Sequence, residues 1–229
     1  MDAVYVCRDG ENPELRYSLR TLPNVDHARV WVFGGAPTWL NTGTVTHHKR
    51  RQDNTPARSS RGHITAACKT PEVSDPFMLW NDDFYAMREI GTVGTYHRGL
   101  LVDHVEKMKA HRTPWAKGLK QTAALLDRLG MLEGALSYSI HMPLIVHKAE
   151  MLEAIELANK ESAQHFHLRT LYGVMTDLGG EEWVDPKMLR RMDPFPRGPW
   201  LSSSPDSFRR SVEPVLRYLF PDASIYEKE

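Results

Sequence analysis

Apolar positions along this chain alternate between strand-like runs and helical spacing. Ala3 to Cys7 is a short continuous apolar run; after it come Arg8-Asp9-Gly10, Asn12 and Pro13, and then Leu15, Leu19 and Leu22 at helical intervals. Asn12 can cap a helix that has Pro13 at its first position, so this stretch predicts strand, polar loop, helix. Ala28 to Phe33 is a second run, closed by Gly34-Gly35, and Val45 to His47 is a third. Residues 48 to 63 are basic and polar and read as a loop, either mobile or in contact with an anion. Phe77 to Trp80 is apolar enough to be buried on both faces, as in the centre of a parallel sheet, and it delivers Asn81-Asp82-Asp83 at its end.

Beyond that point the period becomes helical. Leu100 to His111 and Lys117 to Leu129 are amphipathic, separated by Thr113-Pro114, and predict a helical insertion or lid across 98–130. Tyr138 to Ile140 reads as a strand leading into His141-Met142-Pro143. Helices are expected from Lys148 to Asn159 and from His165 to Asp177, the latter stopped by Gly179-Gly180. A Pro-rich connector, Asp193 to Pro199, precedes Ser202-Ser203-Ser204-Pro205-Asp206, which reads as the cap of a last helix reaching Phe220. Strands alternating with helices predict an α/β fold, a mostly parallel sheet flanked by helices, within one domain over 1–229.

Composition narrows the function classes. The 29 basic residues balance 29 acidic ones, so no extended basic face for nucleic acid is expected. Apolar runs stay short of the roughly 18 residues of a membrane span, and the expected location is cytoplasmic. Cys7 and Cys68 lie in apolar surroundings without a Cys-x-x-Cys partner and read as buried free thiols.

Chemistry concentrates at the strand ends. Asp82 and Asp83 fall where open α/β sheets bind ligands, and paired carboxylates there suit Mg²⁺ or Mn²⁺ bridging to nucleotide phosphates; the competing reading of Asn-Asp-Asp is a plain turn. Arg8 and Asp9, after the first strand, are candidates for nucleotide contact. Arg16 on the first helix and Arg61 in the basic segment are candidates for donor phosphate. His141 can be a third metal ligand, an acid or base, or a phosphate contact. Trp39, Trp115, Trp183 and Trp200 include candidates for sugar stacking.

Several segments resemble, in order, the Stealth family of metal-dependent sugar-phosphate transferases, whose core is similar to the GT-A fold of nucleotide-sugar glycosyltransferases. They are Glu14-Leu15-Arg16-Tyr17-Ser18-Leu19-Arg20, Pro37-Thr38-Trp39-Leu40-Asn41, Asn81-Asp82-Asp83, His141-Met142-Pro143, Arg169 in a downstream helix, and Phe220 to Glu227. The resemblance implies a GT-A-like, Rossmann-like domain with Asp82, Asp83 and His141 as metal ligands, and Asp83, His141 and Arg169 as catalytic residues. It also implies Arg8, Asp9, Arg16 and Arg61 on the donor. Where the family has a metal-binding Glu, Ile64 stands here beside His63, and the last block has Ser203, Ser204 and Asp206 in place of Asn-Asp. The expected function is therefore metal-dependent transfer of a sugar from a nucleotide-sugar donor to a hydroxyl acceptor, a glycan or a protein. Sugar-1-phosphate transfer and a non-catalytic carbohydrate- or partner-binding module on the same fold are the alternatives.

Overall fold

A computed structural model describes residues 1–161, 166–190 and 193–228 of the 229-residue chain. Its body is a five-stranded sheet in the order β3-β2-β1-β4-β7, built from β1 (Asp2–Cys7), β2 (Val30–Gly34), β3 (Val45–Lys49), β4 (Phe77–Asn81) and, further along the chain, β7 (Leu144–Val146). The first four strands are parallel, and β7 runs antiparallel to β4 with Leu144 opposite Leu79. Chain order runs outward on both sides of β1, so the crevice at the carboxyl ends of β1 and β4 is a topological switch point, the usual ligand-binding edge of such sheets.

Strict alternation along the strands builds two layers. Val4, Trp31, Phe33, Phe77 and Leu79 face one side; there they pack with Ile64 and Ala67 of α2 (Pro56–Lys69), Leu119 and Leu125 of α4 (Pro114–Arg128), Met151 of α5 (Lys148–Lys160) and Leu171 of α6 (Leu168–Met175). Ala3, Tyr5, Val30, Val32, Met78 and Trp80 face the other side, against Leu15 and Leu19 of α1 (Pro13–Thr21). Burial on both faces removes the central strands from water, which is why they read as continuous apolar runs.

The chain leaves β4 through a turn at Asp82-Asp83 and enters a second, three-stranded sheet: β5 (Phe84–Ala86), β9 (Lys187–Met188) and β10 (Trp200–Ser203), in the order β5-β10-β9. Ser202 is the hub of its register, opposite Phe84 on β5 and Lys187 on β9. A two-stranded ribbon, β6 (Tyr96–His97) with β8 (Glu181–Glu182), lies outside it. The C-terminal helical segment starts with α7 (Pro205–Ser207), passes through a π-turn at Phe208–Val212 and ends with α8 (Glu213–Leu219). It packs Phe208, Val212 and Leu216 against Tyr17 and Tyr85.

Three sequence expectations change. The basic segment is a helix from Pro56 onward: the Thr55 side chain accepts from Arg58 N, Pro56 starts the helix, and Ser59, His63, Ile64 and Ala67 form a buried face that the charges conceal in the sequence. Tyr138 to Ile140 is irregular backbone, and the strand forms after Pro143. Of the helix expected from His165, the structure shows Leu168–Met175, while His165 itself lies outside the described residues. In the expected insertion or lid, α3 (Leu101–Lys107) and α4 bury Leu101, Leu119, Leu125 and Leu126 in the same cluster as Phe77 and Leu79.

Cys7 and Cys68 are both buried and free; burial pushes both thiols up, Cys68 to about 12, as expected for inert interior thiols. Among the described residues no helix is long and apolar enough to cross a membrane.

Candidate active site

The site grows from the carboxyl edge of β1 and β4. Gly34 and Gly35 let the end of β2 press on the end of β1, since a Cβ on Gly35 would lie 2.5 Å from the Arg8 carbonyl and 2.8 Å from Asp9 Oδ1. Asn12 caps α1 by accepting from Leu15 N at 3.2 Å, in a left-handed conformation that Asn tolerates. The same side chain donates from Nδ2 to Asp82 Oδ2 at 2.6 Å. One residue therefore starts the first helix and fixes the first carboxylate of the turn.

The two aspartates have opposite surroundings. Burial and the neighbouring Asp83 charge push Asp82 up to about 6, and no basic side chain among the described residues lies within ion-pair distance of it. Burial also opposes ionisation of Asp83, but there the Lys187 ammonium, His141 and hydrogen bonds from Lys187 and Ser202 win, holding it below the usual carboxylate range. Ser202 Oγ donates to Asp83 Oδ2 at 3.0 Å, and Lys187 Nζ contacts the same oxygen. Ser202 thus belongs to the aspartate turn and not to the cap of the last helix; that cap is Ser204, which forms a capping box with Ser207.

Two cavities open on this edge. One, of about 370 Å³, lies at the switch point and is lined by Cys7, Arg8, Ser59, His63, Asn81 and Asp82, among others. The other, of about 260 Å³, is bounded by β4, α2, α4 and α6, with Asn81, Arg61, Trp115, Ser139, His141 and Arg169 on its wall. Arg169 is the unusual member of that wall. Its guanidinium donates to the carbonyls of Ile140, Met142 and Leu79 and lies 5.1 Å over the Phe84 ring, with no carboxylate of the described residues at ion-pair distance. Burial lowers its pKa to about 10, against the pull of Asp83 and Asp185. A half-buried cation with only neutral partners, beside a cavity, is a site for an anion.

His141 occupies the same wall through the antiparallel course of β7, which brings the residues before it to the carboxyl edge of β4. Its Nδ1 is 3.0 Å from Asp185 Oδ1, and its backbone N donates to the same oxygen at 3.2 Å. Arg98 donates to Asp185 Oδ2 at 2.8 Å. Asp185 is held low despite burial, first by its hydrogen bond with His141. A carboxylate on Nδ1 fixes the ring and leaves Nε2 as its working atom.

The expected residues therefore divide. Arg8, Asp82, Asp83, His141, Arg61 and Arg169 gather at the two cavities and the turn between them. Asp9 is exposed beside Gly35, off both cavity walls. Arg16 is elsewhere: it lies 4.8 Å from the Trp39 ring and 3.3 Å from Glu227, in a clasp where Arg20 also grips Glu227 at 2.8 and 2.9 Å. The first, second and last motif segments of the resemblance thus meet one another, joined by a bridge between Leu40 and Glu227, and not the aspartates. Of the four tryptophans, Trp115 lines the smaller cavity, Trp200 is core, and Trp39 donates to the Glu11 carbonyl.

Asp82, Asp83 and His141 are not gathered as one ligand set: no group of three or more His, Cys, Asp or Glu among the described residues is arranged to hold a metal. The aspartate pair alone still fits a hard cation. Mg²⁺ typically uses one or two carboxylates with phosphate and water, and Asp82, which has no ion-pair partner among the described residues, favours one.

No family model matches the chain, and no curated protein sequence does. Among solved structures, it is similar to the galactosyltransferase LgtC in complex with donor and acceptor sugar analogs, with a TM-score of 0.52 at 10% identity over 98% of this chain and 96% of that one. The two share a fold. An active-site mutant of LgtC gives 0.45 at 12% identity, over 99% and 85%. The likeness bears out the expected GT-A-like architecture: a mostly parallel sheet flanked by helices.

Proposed function

We propose that this chain is a divalent-metal-dependent glycosyltransferase that moves a sugar from a nucleotide-sugar donor to a hydroxyl acceptor. The observation that carries the reading is the Asp82-Asp83 turn at the switch point, with the anion-seeking Arg169 on the wall beside it. On this reading the nucleotide sits at the cavity of Arg8, Ser59 and Asp82, and the donor's phosphates face Arg169 and Arg61. Asp82 and Asp83 would hold Mn²⁺ or Mg²⁺, which supplies positive charge opposite the departing diphosphate.

Asp83 is a weak base, since Lys187 and Ser202 hold its pKa below the usual carboxylate range. His141 is better placed: Asp185 orients its ring, and Nε2 is left to take the acceptor hydroxyl's proton from the cavity wall. Trp115, 36% exposed at that wall, offers an apolar face to a sugar ring.

Sugar-1-phosphate transfer, the reaction of the Stealth family, remains a second reading, favoured by Asn81-Asp82-Asp83, His141 and Arg169 standing together as that resemblance implies. The two differ in the bond broken. Attack at the anomeric carbon releases a nucleoside diphosphate, and attack at phosphorus releases a nucleoside monophosphate. Chromatography of the products formed with Mn²⁺ and a panel of nucleotide sugars is expected to show the diphosphate; monophosphate as the sole product would replace the first reading by the second.

A further inference from the structure

Asp83 does not stand in the cleft as a bare carboxylate. Lys187 and Ser202, opposite each other on β9 and β10, both reach its Oδ2. The ion pair is largely sheltered, with Lys187 16% and Asp83 13% exposed at the side chain. The neighbouring guanidiniums do not reach Asp83: Arg8 pairs with Glu14 at 2.6 Å, Arg98 with Asp185 at 2.8 Å, Arg61 donates to Asn159 Oδ1 at 2.9 Å, and Arg169 donates to three backbone carbonyls. Among the described residues, Lys187 is thus the one cation at ion-pair distance from the aspartate turn.

The chemistry of that cation differs from that of its guanidinium neighbours. An ammonium on a four-carbon stem is a point charge with three rotatable donors and can exchange partners, whereas Arg169 has its planar fork engaged. A divalent ion approaching Asp83 meets the ammonium at the same oxygen, and two cations at that separation repel strongly in a half-buried site. Lys187 must swing away for the ion to take that oxygen. The new anion within its reach is then the phosphate that arrives with the ion.

We propose that Lys187 is a displaceable counter-cation: it neutralises Asp83 before ligand binds, yields that oxygen to a divalent cation, and turns its ammonium to the incoming diphosphate. The inference rests on reading the aspartate turn as a cation platform. It makes metal and diphosphate binding cooperative, because metal alone competes with Lys187 and metal with diphosphate gives Lys187 a new partner.

The test measures Mn²⁺ affinity by electron paramagnetic resonance of the free ion, for the full chain and for Lys187→Met and Lys187→Arg, with and without inorganic pyrophosphate. Loss of the competing charge is expected to tighten Mn²⁺ binding about tenfold in Lys187→Met without pyrophosphate. With pyrophosphate present that advantage disappears, and pyrophosphate itself binds the Mn²⁺-loaded variant more weakly than the wild type. Lys187→Arg keeps the competing charge and should keep the wild type's weaker Mn²⁺ binding without pyrophosphate, and thermal melts of all three chains establish that they are folded. Equal or weaker Mn²⁺ binding by folded Lys187→Met in the absence of pyrophosphate overturns the role of Lys187 and leaves the cation platform standing. A wild type that takes up no Mn²⁺ even with pyrophosphate overturns the platform, and this proposal with it.

Discussion

Asp82 is the residue at which folding and proposed function conflict. Its pKa is pushed up to about 6 from 3.8, first by burial and then by Asp83, so the folded protein binds a proton there more tightly than the unfolded chain does. The sign follows from linkage: this group costs stability above about pH 6, and the cost fades as pH falls toward 4. Asp82→Asn is therefore expected to stabilise the ligand-free protein by up to about 3 kcal/mol at pH 7, by roughly half that at pH 5 and by little near pH 4. Urea melts of the two chains across that range check it, and a neutral or destabilising effect at pH 7 would mean that Asp82 is already compensated. Such a cost is what a ligand-binding group carries when its partner is a cation from outside the chain.

At the scale of elements, the C-terminal segment is held to α1 by charge. Glu227 is 9% exposed, accepts from Arg20 Nε and Nη2 and from Ser224 N, and stays below its ordinary pKa because those bonds outweigh burial. A group so depressed stabilises the fold above the usual carboxylate range, and that stability is lost as pH falls through its lowered pKa. Glu227→Ala leaves Arg20, 12% exposed at its side chain, without its carboxylate, and should cost about 3 kcal/mol in denaturant melts. A loss under about 0.5 kcal/mol would reduce the clasp to an ordinary surface pair. Distance along the chain decides how much of this was legible in the sequence. Asn12-Pro13 announces α1 because a cap and its helix are neighbours, and the run before Asn81 announces β4 for the same reason. Arg20 and Glu227 are 207 residues apart, Lys187 and Asp83 are 104 apart, and Asp185 and His141 are 44 apart, so no local pattern joins them. Thr55-Pro56 was a readable start signal, masked by the arginines around it.

At the scale of the molecule, the sheet order creates a switch point between β1 and β4 and the turn after β4 places two carboxylates beside it. The second sheet then supplies Lys187 and Ser202, and the loop after β8 supplies Asp185, so the site is assembled from parts of the chain that share no motif. The architecture was legible because apolar runs and helical spacing are properties of single elements, and the antiparallel β7 was not, since its direction is fixed by packing. The proposed ligand spans the switch-point cavity and the aspartate turn and must engage both. A thermal-shift screen of nucleotide sugars with and without Mn²⁺ measures that directly, because a ligand bound only by the native state raises its melting temperature. At a hundredfold excess over Kd, at least one nucleotide sugar with Mn²⁺ is expected to raise it by about 5–10 °C, and neither component alone should match that rise. Stabilisation by no nucleotide sugar in the presence of Mn²⁺ would contradict the account.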